Sequence, residues 1–333
     1  MPNHRSSSSS RTGSSVTYAT PPSSKRVKWL VVLVAIGLVA GPVGVRALPK
    51  EIVRWKIAAA AEARLNGDLA RAEALLSDIL RTDPTDVSTL LLRGVWRMHA
   101  HDYSGANEDF SRVLELQPSA LRVHEMRSSV RLHLQLFDEA IQDADEVFAA
   151  YEKAEASGAE ASWLEAWLDD WLRYFGFDQH LGRGYGLAHA RNGRAYARAV
   201  ANRDLDAALA DINAAIRVVK PIAPSELPSL LDTRGFILYR LGEHQAALDD
   251  LNAAITQLDD SLVDDWPEYA RKNSRDTPDP RQVQHRLLAK KETIAVLHYH
   301  RMLIHEALGN TANADTDRQR VVTLGFEPND HLF

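Results

Sequence analysis

The sequence predicts an all-α body, a solenoid of about six helical hairpins, preceded by a disordered tail and one transmembrane helix. Three observations predict it. Alanine recurs at a fixed 34-residue interval (Ala72, Ala106, Ala140, with Ala208 at twice that distance), and a fixed period of this length marks a stacked repeat architecture. Apolar residues around each of these alanines fall at i, i+3, i+4, as in Phe110, Val113 and Leu114, the spacing of one helix face. Near the N-terminus, Trp29 to Val45 is a run of seventeen residues without a charge.

The elements follow in chain order. Residues 1–28 are rich in Ser, Thr and Pro and nearly free of apolar side chains, so they cannot bury enough surface to offset chain entropy and are expected to be a disordered basic tail. The apolar run after Lys25, Arg26 and Lys28 spans roughly 26 Å as a helix, against a hydrocarbon core about 30 Å thick. Trp29 stands where an interfacial aromatic would, and Arg46 and Lys50 could reach the opposite headgroups. Residues 29–48 are therefore read as a transmembrane segment of the signal-anchor kind. The alternative is a soluble exported protein after signal peptide cleavage, because Val45 and Ala47 match a small-residue cleavage pattern. The basic leader before the first apolar segment predicts a single-pass membrane protein with an extracytoplasmic repeat body.

The repeats begin after residue 50. Each alanine lies in a similar stretch: Gly67-Asp68-Leu69 before Ala72, His101-Asp102-Tyr103 before Ala106, Gln135-Leu136-Phe137 before Ala140 and Arg203-Asp204-Leu205 before Ala208. Gly242-Glu243-His244 before Ala247 and Gly309-Asn310-Thr311 before Ala314 complete six units. An amphipathic pattern lies on both sides of each turn, so every unit is a hairpin, and no strand longer than three residues is expected. A small side chain is needed where two antiparallel helices cross closely. Asp83-Pro84 and Gln117-Pro118 end the second helices of units one and two, since proline disfavours helix in the residue before it.

On these residues the chain resembles the tetratricopeptide repeat (TPR) family. Unit two carries the family pattern in Gly94, Ala106, Phe110 and Pro118, unit one in Ala60, Ala72, Leu76 and Pro84, and unit five in Gly235, Gly242, Ala247 and Leu251. Units three, four and six depart from it, with Ser128, Tyr196 or Met302 at the small position and Arg318 in place of the aromatic. Residues 51–152 thus read as TPR-like repeats 1–3 and 186–333 as repeats 4–6. Between them, 153–185 is a Trp-rich inserted helix with Trp163, Trp167 and Trp171 one turn apart, and 259–281 is a polar loop.

Chemistry is sparse. With no cysteine there is no disulfide, thiolate metal site or thiol nucleophile. Residues 51–333 hold 32 basic against 45 acidic residues, a net charge of −13, which argues against a nucleic acid partner. His124-Glu125 and His305-Glu306 lack the second histidine of a metalloprotease helix. His298, His300 and His305 read as solvated or groove-lining, with only 298 and 305 on one face. Gly182 to Gly186 reads as a flexible lead into the next helix rather than a dinucleotide loop. Asp249-Asp250 reads as a solvated face rather than an acid/base couple. No catalytic residue, cofactor or metal is expected.

What the resemblance implies is a non-catalytic scaffold that binds a protein or peptide in a concave groove lined by the first helices. The family's groove positions fall on Leu91, Val95 and Met98, on Glu125, Ser129 and His133, on Asp232, Phe236 and Tyr239, and on Tyr299 and Leu303. The basic clamp that some members use for a partner's C-terminal carboxylate maps to Ile57, Ala61, Leu92, Arg122 and Met126, so at most one cation is kept. A structural subunit of a membrane-bound assembly is the other reading of the same features.

Overall fold

The computed structural model describes residues 50–157, 186–258 and 280–328. The apolar segment 29–48, the three tryptophans of the insertion and most of the 259–281 loop lie outside the described residues. All of the described residues fall in one compact unit. None of the described helices is long and apolar enough to cross a membrane.

Twelve helices and no strand occur among the described residues. They pair in sequence order: α1 (Lys50–Leu65) with α2 (Leu69–Thr82), α3 (Val87–His99) with α4 (Tyr103–Leu116), and α5 (Leu121–His133) with α6 (Phe137–Ser157). Then come α7 (Gly186–Ala201) with α8 (Leu205–Val219), α9 (Leu227–Arg240) with α10 (His244–Leu258), and α11 (Pro280–Ala307) with α12 (Thr311–Leu324). Each second helix packs on the first helix of the next unit, and α5, α7, α9 and α11 also touch in succession. Six hairpins stand among the described residues, five in the frame expected from the sequence and the fourth shifted by one residue, and the first helices of units three to six lie side by side.

The turns show why the frame repeats. Asp68 and Asp102 in hairpin turns, and Asp86 in the link between units one and two, each accept a hydrogen bond from a backbone N–H of the following helix, satisfying a donor that the first turn leaves unpaired. Every hairpin turn carries a residue with positive φ: Gly67, His101, Gln135, Asn202, Gly242 and Gly309. In five units it precedes the buried alanine by five residues, but Asn202 precedes Ala208 by six. Unit four therefore holds one extra residue, absorbed by a second positive φ at Asp204. The small residue of its first helix is accordingly Ala195, fully buried, rather than Tyr196.

At the crossing, small meets large. A Cβ on Gly94 would stand 2.7 Å from the Phe110 ring, and one on Gly235 2.0 Å from Leu251 Cδ2, so both positions require glycine for close approach. In unit three Ser128 fits by donating its hydroxyl to the Ala140 carbonyl at 2.8 Å. Two boundaries differ from expectation. Helix α6 runs on to Ser157, and α11 begins at Pro280, inside the predicted loop. A first-turn N–H has no intrahelical partner, so proline starts a helix at no cost there.

Candidate functional site

Two polar arrangements run through the solenoid, one structural and one open to ligand. The first is a ladder of arginine and aspartate. In five of the six units an arginine of the first helix makes a forked pair with an aspartate of the second: Arg93–Asp109, Arg127–Asp143, Arg194–Asp211, Arg234–Asp250 and Arg301–Asp317. In four of them the same guanidinium also donates to Ser77, Ser111, Asn213 or Asn252 of the preceding unit. Arg97, Arg131 and Arg198, one turn further on, reach the same aspartates. The fork matches carboxylate geometry, and the aspartates are buried or nearly so. Asp250 is thus a buried partner of Arg234 and not part of a solvated face. Unit one has Ala59 and Leu75 at the node, and beside it Asp78 pairs with Lys56 and Arg81.

His298, His300 and His305 of α11 divide in the way their spacing dictates, but none of the three is solvated. His298 Nδ1 lies 2.7 Å from Asp317, and His305 lies 4.0 Å from the same carboxylate. His300, on the other side of the helix, bonds Asp232 through Nδ1 at 2.7 Å. Among the described residues no group of three or more potential metal ligands is arranged to hold an ion.

The second arrangement is a pair of neighbouring cavities on the face formed by the first helices. The larger, about 370 Å³, gathers His133 of α5, Val200 of α7, Phe236, Tyr239 and Arg240 of α9, and Tyr299, His300 and Leu303 of α11. Rings dominate its wall: His300 stacks on Phe236 with centroids 4.4 Å apart, Phe236 on Tyr239 at 6.1 Å, and Arg240 lies over Phe236 at 5.2 Å. The smaller, about 220 Å³, lies between α5, α6 and α7 and holds Arg122, Glu125, Ser129, His189, Asn192 and Tyr196 among its walls. Tyr196 stands 6.4 Å from Phe236 and so adjoins both. Burial, with the Asp232 carboxylate nearby, holds its phenol well above the ordinary range. Burial and the Arg122 cation lower His189. His189 Nε2, Asn192 Oδ1, Tyr196 Oη and His300 Nε2 are buried without a hydrogen-bond partner. Buried polar atoms are rarely left so unless something else satisfies them.

Of the eleven groove positions named from the sequence, five converge on the larger cavity: His133, Phe236, Tyr239, Tyr299 and Leu303. Glu125 and Ser129 line the smaller one. Asp232 sits behind the wall as the partner of His300. Leu91 and Val95 are fully buried, so unit two offers them to its neighbours rather than to a ligand, and Met98, partly buried, packs against the same core. His300 lines the larger cavity, in keeping with the groove-lining half of its sequence reading, whereas Tyr196, His189 and Asn192 were not legible as site residues, because each departs from the hydrophobic repeat pattern without forming a motif.

No protein-family description matches the chain, and no curated protein matches it in sequence. Solved structures are similar in fold. The apo form of RapI is 9% identical with a TM-score of 0.51, over 82% of this chain and 97% of that one. A tetratricopeptide repeat protein from Parabacteroides merdae is 14% identical with a TM-score of 0.48, over 83% of this chain and 94% of that one. PilW, a type IV pilus biogenesis factor, is 14% identical with a TM-score of 0.47, over 82% and 93%. At these identities the likeness is one of fold alone.

Proposed function

We propose that this chain is a non-catalytic scaffold that receives a protein or peptide partner on the face formed by α5, α7, α9 and α11, and that residues 29–48 hold it to a membrane. One observation supports the binding reading above others. Residues contributed by four separate units converge on adjoining cavities that keep buried, unpartnered polar atoms. A repeat unit needs its neighbours only to bury apolar faces, and an aromatic-walled recess with open hydrogen-bonding atoms serves no such purpose. An extended surface built from successive repeats suits a chain-like ligand. YrrB, a TPR protein of similar fold, has a peptide-binding site; for this chain the reading rests on its own cavities.

A photo-crosslinking residue at Ser129, exposed beside the smaller cavity, should give a discrete adduct with a partner. The same residue at Val218, exposed on α8, should not. Equal adducts from both positions would refute a groove. For the membrane part, the full chain should sediment with membranes, and protease added to intact spheroplasts should digest the repeat body. A body that stays protected until lysis would reverse the orientation.

A further inference from the structure

We infer that the larger cavity is an anchor for an aromatic side chain bearing a hydrogen-bond donor, a tyrosine of the bound segment, received between Phe236, Tyr239 and Tyr299 and donating its hydroxyl hydrogen to His300 Nε2. The inference rests on the groove reading above and assigns the chemistry of one subsite within it. Its central observation is His300. The side chain is 1% exposed, its ring lines the cavity, and its Nδ1 is 2.7 Å from the Asp232 carboxylate. A carboxylate only accepts, so Nδ1 carries the hydrogen, and in the neutral ring Nε2 is left as an acceptor. That acceptor is buried and has no partner.

The wall and the charges select what could satisfy it. The cavity, about 370 Å³, is faced by planar rings, which favour a planar guest through offset or edge-to-face contact. An anionic guest would meet a body with a net charge of −13 and, one imidazole away, Asp232. A cationic guest would meet Arg240, whose guanidinium already lies over the Phe236 ring and donates to the Val200 carbonyl at 3.2 Å. A neutral ring with an O–H meets neither objection, and it supplies the hydrogen that Nε2 lacks.

The test uses the full chain in detergent micelles, with histidine labelled with ¹⁵N, and four acetylated, amidated pentapeptides with Tyr, Phe, Lys or Asp between glycine pairs. The His300 imidazole signals should move saturably with the tyrosine peptide, and the phenylalanine peptide should bind about fivefold or more weakly, the share one neutral hydrogen bond supplies. His300→Phe, followed through the imidazole signals of His133 in the same cavity, should bring the tyrosine peptide to the phenylalanine level. Because that change could unsettle Asp232, Leu303→Trp provides a second arm, since Leu303 is only partly buried in the cavity wall, and the larger ring should abolish binding while the helical circular dichroism spectrum shows that the fold is kept. Tighter binding of the Asp or Lys peptide, equal binding of Tyr and Phe, or binding that survives Leu303→Trp would overturn the assignment. A groove adduct from Ser129 that persists in Leu303→Trp, with no tyrosine response in the parent chain, would sink the subsite and leave the scaffold reading standing.

Discussion

The second and sixth hairpins have the same backbone frame and opposite interiors. In the second, the first helix contributes the hole, Gly94, and the second helix the knob, Phe110. Asp109 beside it, 2% exposed, is held by Arg93 and Arg97. In the sixth, Met302 is the buried bulk and Arg318 replaces the aromatic, pairing outward with Glu306 and Asp315. Its node, Asp317, is held by Arg301 and His298, with His305 where the second arginine of units two, three and four stands. Both hairpins therefore combine complementary size at the crossing with a caged carboxylate beside it, a cage shared by every unit but the first. The fold does not need a particular residue on a particular helix.

The largest effect should come from opening the cage in the second hairpin. Arg93→Ala leaves Asp109 buried with one arginine and should destabilise by about 3 kcal/mol, as breaking a buried pair does. Arg93→Lys should recover only part of this, because an ammonium cannot make the fork. Urea melts of both variants measure it, and full recovery by lysine would mean that charge alone matters. Next is the crossing itself. Ala106→Leu, at a position with no exposure, should cost roughly 1–3 kcal/mol by overpacking, whereas Glu108→Leu, exposed on the same helix, should be near neutral. Equal losses would break the size rule drawn from Gly94 and Phe110.

How far the sequence carries this comparison depends on the kind of signal. Six hairpins were legible because burial repeats with the helix period and the turn residues recur. Unit four was misaligned by one residue, since the stretch Arg203-Asp204-Leu205 imitates its neighbours while the added residue is taken up by backbone angles at Asn202 and Asp204 that no side chain announces. The ion ladder was present in the sequence as arginine followed sixteen residues later by aspartate in units two, three, five and six, seventeen in unit four. It escaped because charged residues are ordinarily on the surface, and a pair so distant in sequence gives no local pattern. The site was half legible. Periodicity and family positions reached the rings of α9 and α11, but they assigned Leu91 and Val95 to a face that the neighbouring hairpins cover. His300 finds its hydrogen-bond partner, Asp232, 68 residues away, and no local pattern announces such a pair.

The two nodes should also part company with acid. Burial is the larger influence on His305 and lowers its pKa from the ordinary 6.5, Asp317 opposing and Arg301 assisting. A base whose folded value is depressed stabilises the fold only above its unfolded value, so stability falls as the pH drops below 6.5, where the unfolded chain takes up a proton that the folded chain refuses. Burial raises Asp317, but the bonds from His298 and Arg301 outweigh it and hold the carboxyl below 3.8. Its contribution is present above 3.8 and is lost only as the pH falls through its lower folded value. Between those limits the sixth hairpin should loosen through His305, and hydrogen exchange of α12 amides should quicken relative to α4. His305→Arg should flatten that dependence, and an unchanged slope would remove His305 from the account.

The smallest effect concerns the turns, where the comparison can be sharpened rather than broken. Gly309 makes the left-handed turn of the sixth hairpin at φ 74°, while Gln135 makes that of the third at φ 59°. A Cβ in this region is crowded by the backbone, and glycine avoids that penalty. The unfolded chain answers in the opposite direction, because glycine there has more freedom to lose. At Gln135 the backbone is already left-handed and the side chain is exposed, so relief of crowding should exceed the added entropy. Gln135→Gly should stabilise the third hairpin by about 0.5–1 kcal/mol, read as slower hydrogen exchange in α5 and α6. Gly309→Gln should weaken the sixth by a similar amount, and since nothing stands within 4 Å of a Cβ built there, any loss would be owed to backbone angle rather than to a clash. If both changes were neutral, the recurrence of glycine at these turns would have to be traced to something other than the sign of φ.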